Sequence, residues 1–419
     1  MKTPYTAGIR IEQSSGAATW MMDWVSAVLL VLCPILQHYR GVFLEAGVET
    51  LVLVMPYALL KLLHRQNLRL GPLVPLALYA VYISLIHGVS AFTFGREMLL
   101  LFFFAAVLNE CVDARKLFHA AKDIALLAFF CIAVQYVCYY LFHRHLQMVP
   151  TGVLLPSAEQ WIGLAQTGRI SVTGAQMAFY RPSAFFLEPS HIAIYCIPVL
   201  TINLLAEGVD RRRIVESAMI SLAVVMSTSG MGIGLVAGVW MLYIALYTDS
   251  GRRMRAAGVR NLLRPRTLFY LLLLALAFAA LYAGVGVFRS AIGRIFSSTA
   301  GSGSAIQGRT STGMRLLHML SGIGILIGRG TSLKISEWNV AGFFYTVFQY
   351  GVIGCCLSYW FYVRSLFRLK REYVWLTIII VGLSFFTVHT FAAFYRMYFI
   401  CFILGGYVLA HRKNTLAGS

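Results

Sequence analysis

"FYRPSAFFLEPSH", residues 179–191, is the stretch from which the fold is read. It sets Arg181, Glu188 and His191 beside Pro182 and Pro189 in a chain that is 59% hydrophobic. A polar, proline-marked stretch that opens onto a long apolar run is a loop entering a helix. Pro189 suits the first helical turn, where its missing N–H costs nothing. Glu188 then falls near the N-cap, and His191, three residues on, shares its face. Working outward, apolar runs of nearly 20 residues recur along all 419 residues, each about long enough to cross a bilayer.

Only 12% of the residues are charged and the mean hydropathy is +0.74. A soluble domain would carry about twice that charged fraction. The expected fold is all-α: a polytopic integral membrane protein with residues 1–419 in one membrane domain. Residues 1–19 are polar and lack the apolar core of a cleavable signal peptide. The net charge of +19 would suggest nucleic acid in a soluble protein. Here it reads as topology, since cytoplasmic loops of membrane proteins are enriched in Lys and Arg, and no nucleic-acid partner is expected. The eight cysteines lie mostly inside apolar runs, with no disulfide framework and no metal-type spacing.

The apolar runs predict about twelve passes, at 19–37, 42–62, 72–90, 93–110, 117–142, 190–207, 214–229, 231–248, 267–287, 341–363, 374–390 and 393–410. With both termini cytoplasmic, the dense basic clusters (211–213, 252–266 and 364–371) all face inward. Two outward loops, 143–189 and 288–340, are much longer than the rest, and loops of that size are commonly functional. They hold Arg144, Arg169, Arg181, Arg289, Arg294, Arg309, Arg315, Arg329 and Lys334. The usual sorting keeps cations off the outer face, so this concentration needs another cause.

One cause is an anion. The N-terminus at Pro189 offers free N–H groups and a positive dipole end, and Arg181 adds a planar fork suited to phosphate. The plain alternative is an Arg181–Glu188 pair that pins the loop. The second loop contains "GRTSTGMRLLHMLSGIGILIGRG", residues 308–330, which predicts an amphipathic helix at the outer surface. Arg309 and Arg315 would there anchor to lipid headgroups or bind a lipid-linked phosphate. Gly322, Gly324, Gly328 and Gly330 suggest tight turns or close backbone approach. "STSGMGIGLVAG", residues 227–238, joins two short passes. The first spans about 24 Å at helical rise, less than the roughly 30 Å hydrocarbon core. The tip at Ser229 could stop below the surface and line a cavity, or serve close helix packing. Arg396 could snorkel to the interface or face a cavity. Glu45 and Glu49, one turn apart, could line a cavity or sit near the interface. Outward acids are few and scattered, with no D-x-D-like pair for a divalent cation; no metal and no cofactor are expected.

Three stretches carry a family resemblance. "RPSAFFLEPSH" before a membrane helix resembles the signature of bacterial O-antigen and capsule repeat-unit polymerases of the Wzy type. "MSTSGMGIGL" resembles their Ser/Gly-rich hairpin, and "EWNVAGFFYTVFQYGVIG" resembles a block shared with O-antigen ligases. The likeness in architecture covers most of the chain. It implies a GT-C-like glycosyltransferase of the bacterial inner membrane with its active site facing the periplasm. Such an enzyme moves a growing glycan from undecaprenyl diphosphate to the terminal sugar of another lipid-linked repeat unit. Its expected partners are undecaprenyl-diphosphate-linked oligosaccharides, the lipid membrane, and the chain-length regulator and flippase of the same pathway. The resemblance implies diphosphate binding by Arg181, Arg309 and Arg315, and more weakly by Arg289. Glu188 and His191 are the first candidates for catalytic base, with Glu337 in reserve, and Asn339 lines the cavity. Where the ligases carry His-Asn, this chain reads Trp338-Asn339, which argues against a ligase. The other rival is a lipid-linked oligosaccharide transporter or flippase. Such proteins commonly show two similar halves, and no internal repeat is visible.

Overall fold

The computed structural model describes residues 16–86, 91–156, 180–206, 210–247, 265–286, 288–289, 292–293, 305–330, 340–369, 371–385, 387 and 393–417. Among them there is helix and no strand; two isolated bridges, Tyr39 with Leu154 and Arg40 with Glu45, are the extended pairings. In chain order the helices are α1 (Ala17–Leu36), α2 (Ala46–Leu63), α3 (Val74–Ile86), α4 (Ala91–Leu108) and α5 (Ala114–Phe142). Then come α6 (Pro189–Thr201, running on as a π turn over Ile202–Ala206), α7 (Arg211–Met226), α8 (Gly230–Tyr247) and α9 (Pro265–Gly284). The last are α10 (Ala305–His318), the single turn α11 (Gly324–Ile327), α12 (Gly342–Arg368), α13 (Arg371–Ser384) and α14 (Ala393–Ala417).

A helix stands in each segment whose apolar run predicts a pass. Six are long and apolar enough to cross a membrane: α1, α2, α4, α5, α9 and the Phe394–His411 part of α14. Those at Gly71–Ile86, Pro189–Leu205, Gly230–Leu246 and Tyr373–Ser384 are apolar but shorter. Helix α2 begins at Ala46 rather than near 42 because Glu49 accepts the backbone N–H groups of Val42, Phe43 and Leu44 at 2.9, 2.5 and 2.9 Å. A carboxylate that collects three amides holds residues 42–44 as a loop, so Glu49 is committed to its own neighbourhood.

The two innermost helices are apolar on every face, the pattern of a helix with no solvent side. All of α6 except Ser190 is buried, as is 89% of the Phe394–His411 stretch. They touch through Tyr195 and Tyr398, whose rings stack at 4.7 Å while the Tyr398 hydroxyl donates to the Tyr195 carbonyl at 3.0 Å. Around this pair, α14 packs on α1, α4, α5 and α13, and α6 on α5, α7, α8 and α13. Only 6% of α9 is buried, and Leu268, Phe269, Leu272, Leu273 and Leu276 on it are exposed. So extensive an apolar exterior needs hydrocarbon around it.

The two ends of the bundle differ. At one, Asp23 meets Lys61 at 2.5 Å and Lys116 at 3.2 Å, and Glu216 meets Lys122 and Arg212, each at 2.9 Å. The start of α1, the end of α2 and the starts of α5 and α7 are therefore together. The other end carries the links between α1 and α2 and between α7 and α8, and the segments leading into α6 and α12.

There α10 does not merely lie on the surface. Its buried Leu316, with Leu320 just beyond it, packs against Val347 and Phe348 of α12, and Gly313 lies against the Phe344 ring. Helix α12 kinks at Gly351, whose φ is +66°. The kink releases carbonyls that the helix would otherwise occupy. The N–H groups of Arg329 and Gly330 donate to Phe348 and Gln349, each at 2.9 Å, and the Tyr82 hydroxyl donates to Tyr350 at 2.9 Å. Gly328, at φ +81°, faces Gly351. A Cβ on Gly351 would overlap the Leu326 carbonyl, and one on Gly328 the Gln349 carbonyl. We expect Gly351→Ala and Gly328→Ala each to cost about 2 kcal/mol or more, read as a lowered midpoint of thermal unfolding in detergent. Gly95→Ala, in a helix with open space around it, should hold or raise the midpoint, since alanine favours the helix over glycine.

Candidate functional site

The first loop is built outward from α5. Gln135 is completely buried; its Nε2 donates to the Leu146 carbonyl at 3.1 Å, and its Oε1 accepts the Ala184 N–H at 2.9 Å. One amide thus ties both described ends of the loop to the bundle. Tyr180 stacks on Tyr139 at 4.3 Å and meets Tyr136 edge-on. The Tyr136 hydroxyl donates to the Met226 carbonyl at 2.7 Å, at the end of α7. The loop also pairs with the α1–α2 link: the Leu155 N–H donates to the His38 carbonyl at 2.9 Å, and the Arg40 N–H to that of Val153 at 2.8 Å.

These ties bring Arg181 over the tip between α7 and α8. Its Nε donates to Thr228 Oγ1 at 3.2 Å. Ser227, Thr228 and Ser229 are all buried, so the tip lies beneath the loop. Thr228 takes a left-handed φ of +57°, uncommon for a β-branched residue. Ser229 Oγ accepts the Gly232 N–H at 3.3 Å and caps α8. A Cβ on Gly232 would press on Val224 and Ala193, so the same motif also sets the close packing of α6, α7 and α8.

Glu188 is the N-cap residue of α6, but its carboxylate does not cap the helix. It accepts the Ser190 hydroxyl at 3.1 Å and lies 3.6 Å from His191 Nε2. It also acts electrostatically on Arg181, whose pKa burial lowers and Glu188 supports. His191 is 1% exposed. Its ring lies parallel to that of His38, with centroids 5.5 Å apart and 15° between planes, and meets Tyr395 of α14 edge-on at 5.6 Å.

A second polar group lies one residue along α14. Arg396 does not snorkel: it is 6% exposed and forms an ion pair with Glu97 of α4, itself 7% exposed. The guanidinium sits 5.3 Å from the centre of the Tyr79 ring. Arg396 Nε, Arg96 Nε, Tyr362 Oη and Gln349 Oε1 are buried without a hydrogen-bond partner among the described residues. Such a polar group in an apolar bundle is retained at a cost.

Of the sequence-predicted residues, Arg181, Glu188, His191 and the Ser229 tip come together, and Arg396 joins the neighbouring group. Arg289 is turned back on α9, donating to the Tyr282 carbonyl at 3.0 Å and to that of Ala283. This is how a basic side chain caps a helix C-terminus. Arg315 lies on α10 as an exposed residue. Arg309 is on the same helix with its side chain outside the described residues, as are Glu337 and Asn339 altogether. Among the described residues no three His, Cys, Asp or Glu side chains are placed to hold a metal. His38, Gln135 and Glu97 were not read as site residues. Their sequence signal is faint but real: a polar residue at the edge of, or alone within, an apolar run.

Glu97→Gln would leave the Arg396 charge buried without a counter-charge, a loss of about 3–5 kcal/mol. The expected result is a marked fall in folded yield and unfolding temperature, with much of it restored in the Glu97→Leu, Arg396→Leu double variant. Recovery of nothing would show that the pair organises the bundle by more than charge neutralisation. No known protein-family profile matches this chain, and no curated protein matches it.

Proposed function

We propose that this membrane protein is a glycosyltransferase that polymerises lipid-linked oligosaccharide repeat units. It would act in the bacterial inner membrane, with twelve crossings in a GT-C-like arrangement, both termini in the cytoplasm and the site on the periplasmic face. The observation that carries the reading is the meeting of Arg181, Glu188 and His191 at the start of α6, at the end of the bundle away from the charged Asp23 and Glu216 groups. A polyprenyl diphosphate supplies an anion at membrane depth, and a cation beside an acid–base pair suits displacement of that anion.

In the reaction a hydroxyl of the acceptor's terminal sugar attacks the anomeric carbon of the donor glycan. The new glycosidic C–O bond forms as the bond from that carbon to the diphosphate oxygen breaks, and undecaprenyl diphosphate leaves with the electron pair. Arg181 balances the charge growing on the leaving group, the kind of stabilisation that acts most strongly in a water-poor site. The acceptor proton passes to the His191–Glu188 pair, with neutral His191 as base. Arg309 and Arg315 of α10 would serve the second diphosphate. The donor and acceptor are undecaprenyl-diphosphate-linked oligosaccharides, and a flippase and a chain-length regulator would serve the same site.

Arg181→Ala, with the protein still in the membrane, should abolish long glycan chains and leave single repeat units. A normal chain-length ladder would contradict the proposal. Purified protein should transfer glycan at the same rate in EDTA; a requirement for Mg²⁺ would oppose the scheme.

A further inference from the structure

At the end of the bundle away from Arg181, the chain between α2 and α3 and the last turn of α4 enclose a cleft of about 400 Å³. Its walls include His64, Arg65, Asn67, Arg69, Asn109 and Glu110. The cleft is built rather than incidental. Asn109, 4% exposed, accepts the Arg69 N–H on Oδ1 at 2.7 Å, and its Nδ2 donates to the carbonyls of Arg69 at 3.3 Å and Ala105 at 2.9 Å. This amide sews the α2–α3 segment to α4. Glu110, in a left-handed turn at φ +62°, reverses the chain beneath it.

Charge separates this cleft from its surroundings. Lys61 and Lys116 are matched by Asp23, and Lys122 and Arg212 by Glu216. In the cleft one carboxylate, Glu110, stands 3.9 Å from Arg65, and Arg69 makes no ion pair among the described residues. Two guanidinium groups thus face a single acid, with the Asn67 amide as a further donor. The same stretch of chain carries exposed leucines: Leu63, Leu68 and Leu70 are 72%, 48% and 50% exposed.

We propose that this cleft binds the phosphate of an anionic phospholipid. Guanidinium forks match phosphate oxygens, basic clefts on the cytoplasmic side, where the proposed topology puts this one, suit acidic headgroups, and the exposed leucines of the same stretch suit acyl chains. A free phosphate offers the same oxygens but has no use for the leucines.

The test is native mass spectrometry of the delipidated full chain, titrated with phosphatidylglycerol, phosphatidylcholine or sodium phosphate. Phosphatidylglycerol should remain bound at concentrations at least about tenfold lower than phosphatidylcholine, a preference of about 1.4 kcal/mol. R65Q/R69Q should remove that preference, while R364Q/R368Q, which deletes the same charge from the C-terminal end of α12, should keep it. Equal loss in both variants would reveal diffuse attraction and overturn the proposal. So would equal retention of the two lipids, or displacement of phosphatidylglycerol by millimolar phosphate alone. If R65Q/R69Q fails to fold, Glu110→Gln decides instead: removing the competing acid should tighten phosphatidylglycerol binding several-fold, and unchanged or weaker binding would refute the site.

Discussion

A chain surrounded by hydrocarbon has no water to fall back on, so every peptide group and every charge in the bundle must find its partner within the protein. The kink at Gly351 shows the constraint most plainly. Breaking α12 frees carbonyls, and the loop at Arg329 and Gly330 and the Tyr82 hydroxyl come in to occupy them. The close approach requires glycine on both sides, at Gly328 and Gly351. The second loop is thereby fastened to the bundle by backbone rather than by side chains, and α10 is carried with it onto α12.

The same constraint shapes the candidate site. Gln135 satisfies two loop peptides from within α5, and the loop it holds places Arg181 over the buried α7–α8 tip. Polar side chains here are linked in a chain from Thr228 through Arg181, Glu188 and His191 to His38 and Tyr395. Adjacent residues of α14 serve two groups: Tyr395 touches His191, and Arg396 pairs with Glu97. The helix that forms the centre of the bundle therefore connects both polar regions, and a shift of α14 would move them together.

Charge is distributed by a different rule at each end. Asp23 and Glu216 each gather two cations, in pairs largely sheltered from solvent except at Arg212. Arg396 and Glu97 are buried, and Arg181 and Glu188 are half-buried, and charges withdrawn from water are either expensive or useful. The reading of the protein as a transferase rests on the second case.

The periodic features were legible in the amino-acid order alone. Every apolar run predicting a pass is occupied by helix, and Pro189 does start α6 with Glu188 at its cap, because run length and proline chemistry are local properties. Arg181, Glu188 and His191 were legible as a group because they lie within eleven residues, with helical spacing relating Glu188 to His191. His38 and Glu97 could not be assigned in that way: each meets its partner across a separation of more than 150 residues, and nothing local marks which helix will lie beside which. The destination of Arg396, buried against Glu97 rather than at the interface, and that of Arg289, folded back on the last carbonyls of the preceding α9, were likewise decided by packing. Sequence determines which segments must leave water; only the tertiary structure decides which polar side chains then face one another, because that choice is made by contacts between helices far apart in the chain.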